Sequence, residues 1–177
     1  MQISDIESFI NTSDHLFQEI QYPAKTILLN EGQISTKMFL VKNGALREYF
    51  YRDGRELTLE FITENQAVAS FDSFLNGTAS EFLIETLEPS VIYEIPVSIF
   101  REWMQKPEFQ QQFNILFYKR FSEITARLMS FIKDSPQERY ANLLKKRPEL
   151  LLRFPQHYIA SYLGITSVSL SRIRNRR

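Results

Sequence analysis

Arginine is concentrated at the carboxyl end of the chain. Four of the last six residues are arginine, namely Arg172, Arg174, Arg176 and Arg177. A guanidinium presents a planar fork of N–H donors, which matches phosphate oxygens or the O6 and N7 acceptors of guanine. The cluster therefore offers recognition of a polyanion, with a solvated basic tail as the alternative.

The charge distribution along the chain supports the first interpretation. The whole sequence holds 21 basic and 21 acidic residues in 177 positions, so its net charge is zero. Residues 1–133 carry 12 basic and 18 acidic side chains, whereas residues 134–177 carry 9 basic and 3 acidic ones. A basic module attached to an acidic body predicts a polyanionic partner for the carboxyl-terminal segment.

The segment from Gln156 to Arg174 has the pattern of two short helices joined by a tight turn. Gly164 supplies a left-handed residue that ends the first helix, and Thr166 caps the second. Small Ala160 lets the two helices cross closely. The buried sides are formed by Ile159, Ala160, Leu163, Ile165, Leu170 and Ile173. This arrangement predicts a helix-turn-helix, with a chance helical hairpin as the alternative.

In a helix-turn-helix the second helix enters the major groove with its amino-terminal residues at the base edges. We expect Arg172 to read guanine directly, while Val168 can touch only a thymine methyl or an apolar surface. The remaining candidates position the duplex through phosphates or lie along the exposed side of the second helix: Gln156, His157, Thr166, Ser167, Ser169, Ser171, Arg174, Arg176 and Arg177.

Several other chemistries are excluded by composition. The chain has no cysteine and only two histidines, His15 and His157, so disulfides, iron–sulfur clusters, haem ligation and multi-histidine metal centres are not expected. No nucleophile–base pair or glycine-rich phosphate loop stands in a credible context. No apolar run approaches the ~18 residues of a membrane span, and the start lacks a leader pattern. We therefore expect a cytoplasmic non-enzyme without cofactor or metal.

The body before this module reads as short strands separated by glycine turns, over residues 22 to about 95. Asp53-Gly54 between two alternating runs predicts a tight hairpin, because both positions of a primed turn need positive φ. Such strands favour an antiparallel roll of jelly-roll type. A short leading helix is expected over Asp14–Ile20, and another after Pro96. Residues 1–106 are assigned to this roll and its flanking helices.

A long helix is predicted over residues 107–133, where apolar side chains recur with a period of 3.5. This seam is formed by Phe117, Phe121, Ile124, Leu128 and Phe131. It predicts a homodimer interface, with simple packing of the helix on the roll as the alternative. Ser135-Pro136-Gln-Glu138 then opens a new helix with a capping box. We place a hinge at Asp134–Ser135, at which the roll would set the angle of the basic domain, residues 134–177.

The whole organisation resembles the cyclic-AMP receptor/fumarate-nitrate regulator family of bacterial transcription factors. The motifs that carry the resemblance are Pro23-Ala-Lys-Thr-Ile-Leu-Leu-Asn-Glu-Gly32, Phe39-Leu-Val-Lys-Asn-Gly44, Tyr51-Arg-Asp-Gly-Arg-Glu-Leu57, Ile159-Ala-Ser-Tyr-Leu-Gly-Ile-Thr166 and Leu170-Ser-Arg-Ile-Arg174. The resemblance implies an α+β fold with an antiparallel β-roll, a dimerisation helix and a helix-turn-helix domain. It also implies double-stranded DNA, a second copy of the chain and RNA polymerase as partners.

Two departures from the family pattern affect function. The family holds a cyclic nucleotide with a Gly-Glu pair and an Arg-Ser pair, and the matching positions here are Ala69-Ser70 and Ser80-Glu81. Since Glu81 would face the phosphate with a carboxylate, we expect no cyclic AMP binding of the usual kind. A pocket for another effector, or a packed site, would involve Ser70, Phe71, Asp72, Ser80 and Glu81. The second departure is that the sequence leaves no residues for a full wing, either natively or by truncation.

Two other functions compete with the preferred one, a homodimeric DNA-binding regulator with an effector-sensing roll. The chain could be a ligand-sensing module that acts through protein contacts without binding DNA; duplex affinity at low salt separates the two. A cupin-type enzyme shares a small β-barrel, but its metal chemistry needs a cluster of histidines that this chain lacks.

Overall fold

The computed structural model describes residues 18–175, and they divide into two compact units. The first unit contains residues 18–50 and 60–116, and the second contains residues 51–59 and 117–175. The second unit thus combines the tip of one β-hairpin with most of a long helix and the segment that follows it.

Eight strands form two four-stranded antiparallel sheets within the described part of the chain. One sheet has the order β1-β8-β3-β6 and the other the order β2-β7-β4-β5. The strands are β1 (Gln18–Tyr22), β2 (Ile27–Leu29), β3 (Lys37–Asn43), β4 (Leu46–Arg52), β5 (Arg55–Ile62), β6 (Ala67–Val68), β7 (Leu83–Thr86) and β8 (Ser90–Pro96). The predicted antiparallel roll is confirmed.

The interior of the roll follows the two-residue period of its strands, since alternate side chains point to the same face. The buried apolar residues of this core are Leu29, Phe39, Val41, Leu46, Ile62, Val68, Ile84 and Ile92. The β4–β5 hairpin turns at Asp53-Gly54, where φ is 51° and 71°. Positive φ at both positions is what a tight primed turn requires, so this prediction is confirmed.

The seven helices of the described residues follow or interrupt these strands. They are α1 (Phe71–Asn76), α2 (Val97–Trp103), α3 (Pro107–Lys133), α4 (Pro136–Lys146), α5 (Pro148–Arg153), α6 (Gln156–Tyr162) and α7 (Ser167–Asn175). The long helix has the predicted extent. The predicted leading helix is wrong for residues 18–20, which pair as β1 with β8; the remainder of that prediction, residues 14–17, lies outside the described residues.

A second core in the first unit joins α1, α2 and the start of α3 to the roll. Phe74, Phe100, Trp103 and Phe109 are almost completely buried there, and Phe113 packs against them. The Phe100 ring meets those of Phe74, Phe109 and Phe113 edge to face, and the centroids of Phe100 and Phe113 lie 5.1 Å apart. Aromatic pairs of this geometry add to the burial of apolar area, so they fix α1 and the first turns of α3 against the roll.

The junction between α3 and α4 is capped as the sequence predicts. The Ser135 hydroxyl accepts a hydrogen bond from the Glu138 amide, and the Glu138 carboxylate accepts one from the Ser135 amide at 2.7 Å. Hydrogen bonds from the Ser135 amide and hydroxyl lower the pKa of Glu138. Pro136 occupies the first turn, where its missing N–H costs nothing. A separate helix therefore begins directly after α3 ends.

Candidate nucleic-acid interface

The helix-turn-helix is formed by α6, a tight turn and α7. Gly164 has φ 67°, which is the left-handed conformation predicted for the residue that ends α6. The Ile165 amide donates to the Ala160 carbonyl at 2.9 Å, and the Ser169 amide donates to the Thr166 hydroxyl at 3.2 Å. The turn and the cap of α7 are thus both satisfied by hydrogen bonds, as the sequence indicates.

Apolar residues hold these two helices together from the inside. Ile159, Ala160, Leu163 and Leu170 are at most 4% exposed. The small side chain of Ala160 lies on the buried side of α6, as expected where two helices cross at close range. The second helix is consequently presented on a packed support.

The exposed side of α7 carries most of the residues predicted to contact DNA. Ser167, Val168, Ser171, Arg172 and Arg174 are exposed, and Val168 retains 61% of its accessible surface. An exposed valine in the first turn of a helix is available to an external surface rather than to the protein core. Arg172 and Arg174 both lie in the last turn of α7, and Arg176 lies outside the described residues.

The residues predicted to position phosphates are divided between two helix starts. Gln156 and His157 are exposed in the first turn of α6, and the ring of His157 lies 4.0 Å from that of Tyr158. Thr166 is exposed, whereas Ser169 is half-buried and its hydroxyl lies 3.0 Å from that of Thr166. The two hydroxyls therefore bond to each other, and the Thr166 hydroxyl also accepts from the Ser169 amide.

The predicted effector segment is largely engaged by its own neighbours. Phe71 and Phe74 pack into the second core, with ring centroids 6.4 Å apart. Asp72 accepts hydrogen bonds from Asn76 Nδ2 at 2.7 Å and Thr78 Oγ1 at 2.5 Å. These two bonds, that from Thr78 first, lower the pKa of Asp72. The loop after α1 is thereby tied to the start of that helix.

The two positions that matter for a phosphate differ in their surroundings. Ser80 is buried, and its hydroxyl donates to the Phe82 carbonyl at 2.8 Å. Glu81 is exposed. This pair therefore offers an engaged hydroxyl and a carboxylate, with no guanidinium among its side chains.

Comparison with known proteins identifies the first part of the chain. Residues 19–107, half of the sequence, match the family described as the cyclic nucleotide-binding domain. The chain belongs to this family. No curated protein matches the chain in sequence.

Solved structures extend the likeness beyond this cyclic nucleotide-binding domain. A CooA mutant from Carboxydothermus hydrogenoformans has a TM-score of 0.81 and 18% identity, covering 99% of this chain and 84% of the other. The c-di-GMP-responsive regulator CLP from Xanthomonas campestris has a TM-score of 0.76 and 18% identity, with coverage of 98% and 90%. A Crp/Fnr-family regulator from Eubacterium rectale has a TM-score of 0.70 and 23% identity, with coverage of 94% and 80%. The chain has the fold of Crp/Fnr regulators, as its motifs predict.

The long helix that follows the cyclic nucleotide-binding domain exposes an apolar face. Four of the five predicted seam residues, Phe117, Phe121, Ile124 and Leu128, are between 46% and 61% exposed. Phe131, the fifth, is also close to the helix-turn-helix, because a Cβ at Gly164 would lie 2.9 Å from its ring. Tyr118 and Ile132 widen the exposed face. The long helix therefore exposes several large apolar side chains along its length.

Three residues near the helix-turn-helix were not found from the sequence. Arg127 and Arg139 donate to the carbonyls of Tyr162 and Leu163 at the end of α6, both at 3.0 Å, and Ser161 bonds to the β4–β5 hairpin. No sequence signal marks them. An arginine that donates to a distant backbone carbonyl cannot be distinguished in the sequence from an arginine that is solvated by water.

Residues 18–175 contain the seven helices given above. None of their helices combines the length and apolarity needed to cross a bilayer. No cluster of three or more histidine, aspartate or glutamate side chains in this part of the chain is arranged to hold a metal ion.

Proposed function

We propose that this chain is a sequence-specific DNA-binding transcriptional regulator that acts as a homodimer in the cytoplasm, with double-stranded DNA and RNA polymerase as its partners. The observation that carries the proposal is the exposed face of α7. This face presents Ser167, Val168, Arg172 and Arg174 to the outside while Leu170 anchors the helix in the core. A basic helix held in this way matches the recognition helix of a helix-turn-helix.

The two described arginines of α7 have different proposed roles. Arg172 reads guanine through paired donors, which discriminates against another base by about 1–3 kcal/mol. Arg174 lies two residues further along the same helix. It holds a phosphate, which contributes affinity without sequence information. Arg176 and Arg177 add further charge of this second kind.

The dimer is proposed from the apolar face of α3. Its seam residues repeat at intervals of 4, 3, 4 and 3, which is the spacing of a two-helix interface. Burying this face against a second copy removes large apolar side chains from water. A two-fold dimer then presents two recognition helices, so the operator should be pseudo-palindromic with half-sites about one helical turn, roughly 10 base pairs, apart.

Binding to duplex DNA is tested by selecting bound fragments from a genomic library with the full chain. A recurrent pseudo-palindrome, bound more weakly as salt rises, supports the proposal because counterions are released from phosphates. Absence of duplex affinity at low salt would instead establish a ligand-sensing module that works through protein contacts.

The Arg172→Ala variant should relax base preference at one position in each half-site. We expect its operator affinity to fall by about 10- to 100-fold per half-site while its affinity for random DNA changes little. Arg174→Ala is the matched control on the same helix, and it should weaken operator and random duplexes alike. Competition binding on a library of single-base operator variants measures both effects. Equal losses on specific and random DNA for Arg172→Ala would contradict the assignment.

We also propose that the roll does not bind cyclic AMP in the manner of its family. The family pairs an arginine with the cyclic phosphate, and the matching Ser80-Glu81 offers an exposed carboxylate instead. The residues present therefore do not fit the ligand, because a carboxylate beside an anion is repulsive. The Phe71 and Phe74 rings, packed into the second core, further favour a closed segment over an open pocket.

Cyclic AMP at 1 mM should leave the unfolding temperature of the protein unchanged. A ligand with a Kd of about 10 µM would stabilise the folded state by about 2.7 kcal/mol at this concentration, which a thermal scan detects easily. Calorimetric titration gives the same answer without unfolding, and 5′-AMP serves as the control ligand. Saturable binding of cyclic AMP in the micromolar range would overturn this part of the proposal.

A further inference from the structure

The tip of the β4–β5 hairpin is hydrogen-bonded to the first helix of the helix-turn-helix. The Thr58 amide donates to the Ser161 hydroxyl at 2.7 Å, and that hydroxyl donates to the Glu56 carbonyl at 2.9 Å. One side chain on α6 thus satisfies a donor and an acceptor on the same strand. Both bonds lie within the second unit, to which residues 51–59 belong.

Arg127 on α3 makes a second connection between the hairpin and α6. Its guanidinium donates to the Leu59 carbonyl and, at 3.5 Å, to the Thr58 carbonyl. The same group donates to the Tyr162 carbonyl at 3.0 Å and stacks on the Tyr162 ring, 3.8 Å from its centroid. A guanidinium can serve three carbonyls at once because it has five donors in a fixed plane, which a lysine lacks.

A third connection joins the end of α3 to the turn that precedes α7. Arg139 donates to the Leu163 carbonyl at 3.0 Å and to the Asp134 carbonyl at 2.8 Å. Its guanidinium lies 5.1 Å from the Phe131 ring, beside which Gly164 passes closely. The Asp134–Ser135 junction, where the sequence predicts a hinge, is therefore bridged to the end of α6 by a side chain.

We propose that Ser161 and Arg127 are positioning residues that set the orientation of the recognition helix by holding α6 to residues 56–59. The inference rests on the proposed DNA-binding function and names residues that determine its preference for one operator spacing. Thr58 and Leu59 belong to β5, which continues along the chain into the buried residues Glu60, Phe61 and Ile62. The hairpin partners of Ser161 and Arg127 are therefore backbone atoms of an ordered strand.

A positioning role differs from a purely stabilising role in its effect on operator spacing. In a dimer with two fixed recognition helices, only one separation of the half-sites fits both. If α6 is held less firmly, each recognition helix can reorient. Operators with one base pair added or removed between the half-sites should then lose less affinity. A residue that only stabilises the fold would change the affinity for all spacings by the same factor.

The first experiment measures the hydrogen bonds themselves in the full chain without DNA. Hydrogen exchange at the Thr58 amide should become about tenfold faster or more in Ser161→Ala, because the amide loses its acceptor. Ser161→Thr retains a hydroxyl and should retain the protection. Ser122→Ala, an exposed serine on α3, is the control that should leave Thr58 unchanged. Unchanged exchange at Thr58 in Ser161→Ala would overturn the proposal, whatever the outcome for DNA.

The second experiment uses duplexes with half-sites at the selected spacing and at one base pair more or less. We expect Ser161→Ala and Arg127→Met to lower the preference for the selected spacing by about tenfold, while Ser161→Thr and the exposed-site control Lys119→Ala preserve it. Equal losses at every spacing would overturn the positioning role and leave a structural one. If the unmodified protein binds no duplex, the proposed function fails; faster Thr58 exchange in Ser161→Ala would still show the contact itself to be real.

Discussion

Replacing Leu128 with glutamate should convert the proposed dimer into a monomer and lower operator affinity by about 10²- to 10⁴-fold, because avidity between two half-sites is lost. Leu128 lies in the middle of the apolar seam and is 61% exposed in the single chain. Each copy would lose about 1.5–3 kcal/mol of apolar burial, and in a two-fold dimer this loss occurs in both copies. A carboxylate forced into the seam adds an uncompensated desolvation cost. Sedimentation velocity and operator binding measure the two consequences.

Ala126→Glu is the matched control for this substitution. Ala126 is exposed on the same helix, and at 3.6 residues per turn it points nearly opposite to Leu128. It should remain dimeric and bind the operator as the unmodified protein does. A dimeric Leu128→Glu variant would show that another surface joins the two copies. A monomeric variant with full operator affinity would show that one helix-turn-helix suffices for recognition.

The parts of the fold that the sequence predicts best are those with local signals. Asp53-Gly54, the Ser135 capping box and the Gly164 turn each depend on a few adjacent residues, and the structure has all three. The long helix was predictable because it contains no glycine or proline for 26 residues after Pro107. Period and caps act within a few residues, so they can be read without knowledge of the tertiary structure.

The elements that were missed depend on distant partners. The leading segment was expected to be helical, yet Gln18–Tyr22 pairs with β8 more than 60 positions later in the chain. Its polar side chains give a weak strand pattern, and the pairing supplies the hydrogen bonds that local propensity does not. Helix α1 is likewise not predicted from the sequence, in which residues 70–77 are interpreted only as the lining of a pocket or as a packed site. The burial of Phe71 and Phe74 in a core shared with α2 and α3 is what stabilises that short helix.

The candidate site shows the same division. The exposed and buried sides of α7 follow from its period, so the position of Arg172 on the outside was predictable. The positions of Ser161 and Arg127 were not, because their partners are backbone atoms of residues 56–59, which any sequence supplies. Side-chain bonds to a distant backbone leave no signature in residue types, and this explains why the hairpin tip was assigned to the roll alone.

Replacing Gly164 with alanine should destabilise the helix-turn-helix by about 2–4 kcal/mol. Two causes add. Gly164 has φ 67°, a conformation that costs an L-residue about 1–2 kcal/mol. Its Cβ would also lie 2.9 Å from Cε1 of the Phe131 ring, closer than such atoms normally approach, so the ring, the end of α3 or the turn must shift. Denaturant-dependent hydrogen exchange in α6 and α7 measures the loss locally.

Two further variants separate the strain from the clash. Gly77 has a similar φ of 74°, but a Cβ there meets no atom within 4 Å, so Gly77→Ala should show the conformational cost alone, about 1–2 kcal/mol. Trp103, the single tryptophan, lies in the first unit together with Gly77, so its fluorescence reports the unfolding of that unit. Combining Gly164→Ala with Phe131→Ala removes the opposing ring, so the double variant should lose less stability than the sum of the two single variants. Strict additivity would show that Phe131 does not oppose a side chain at position 164.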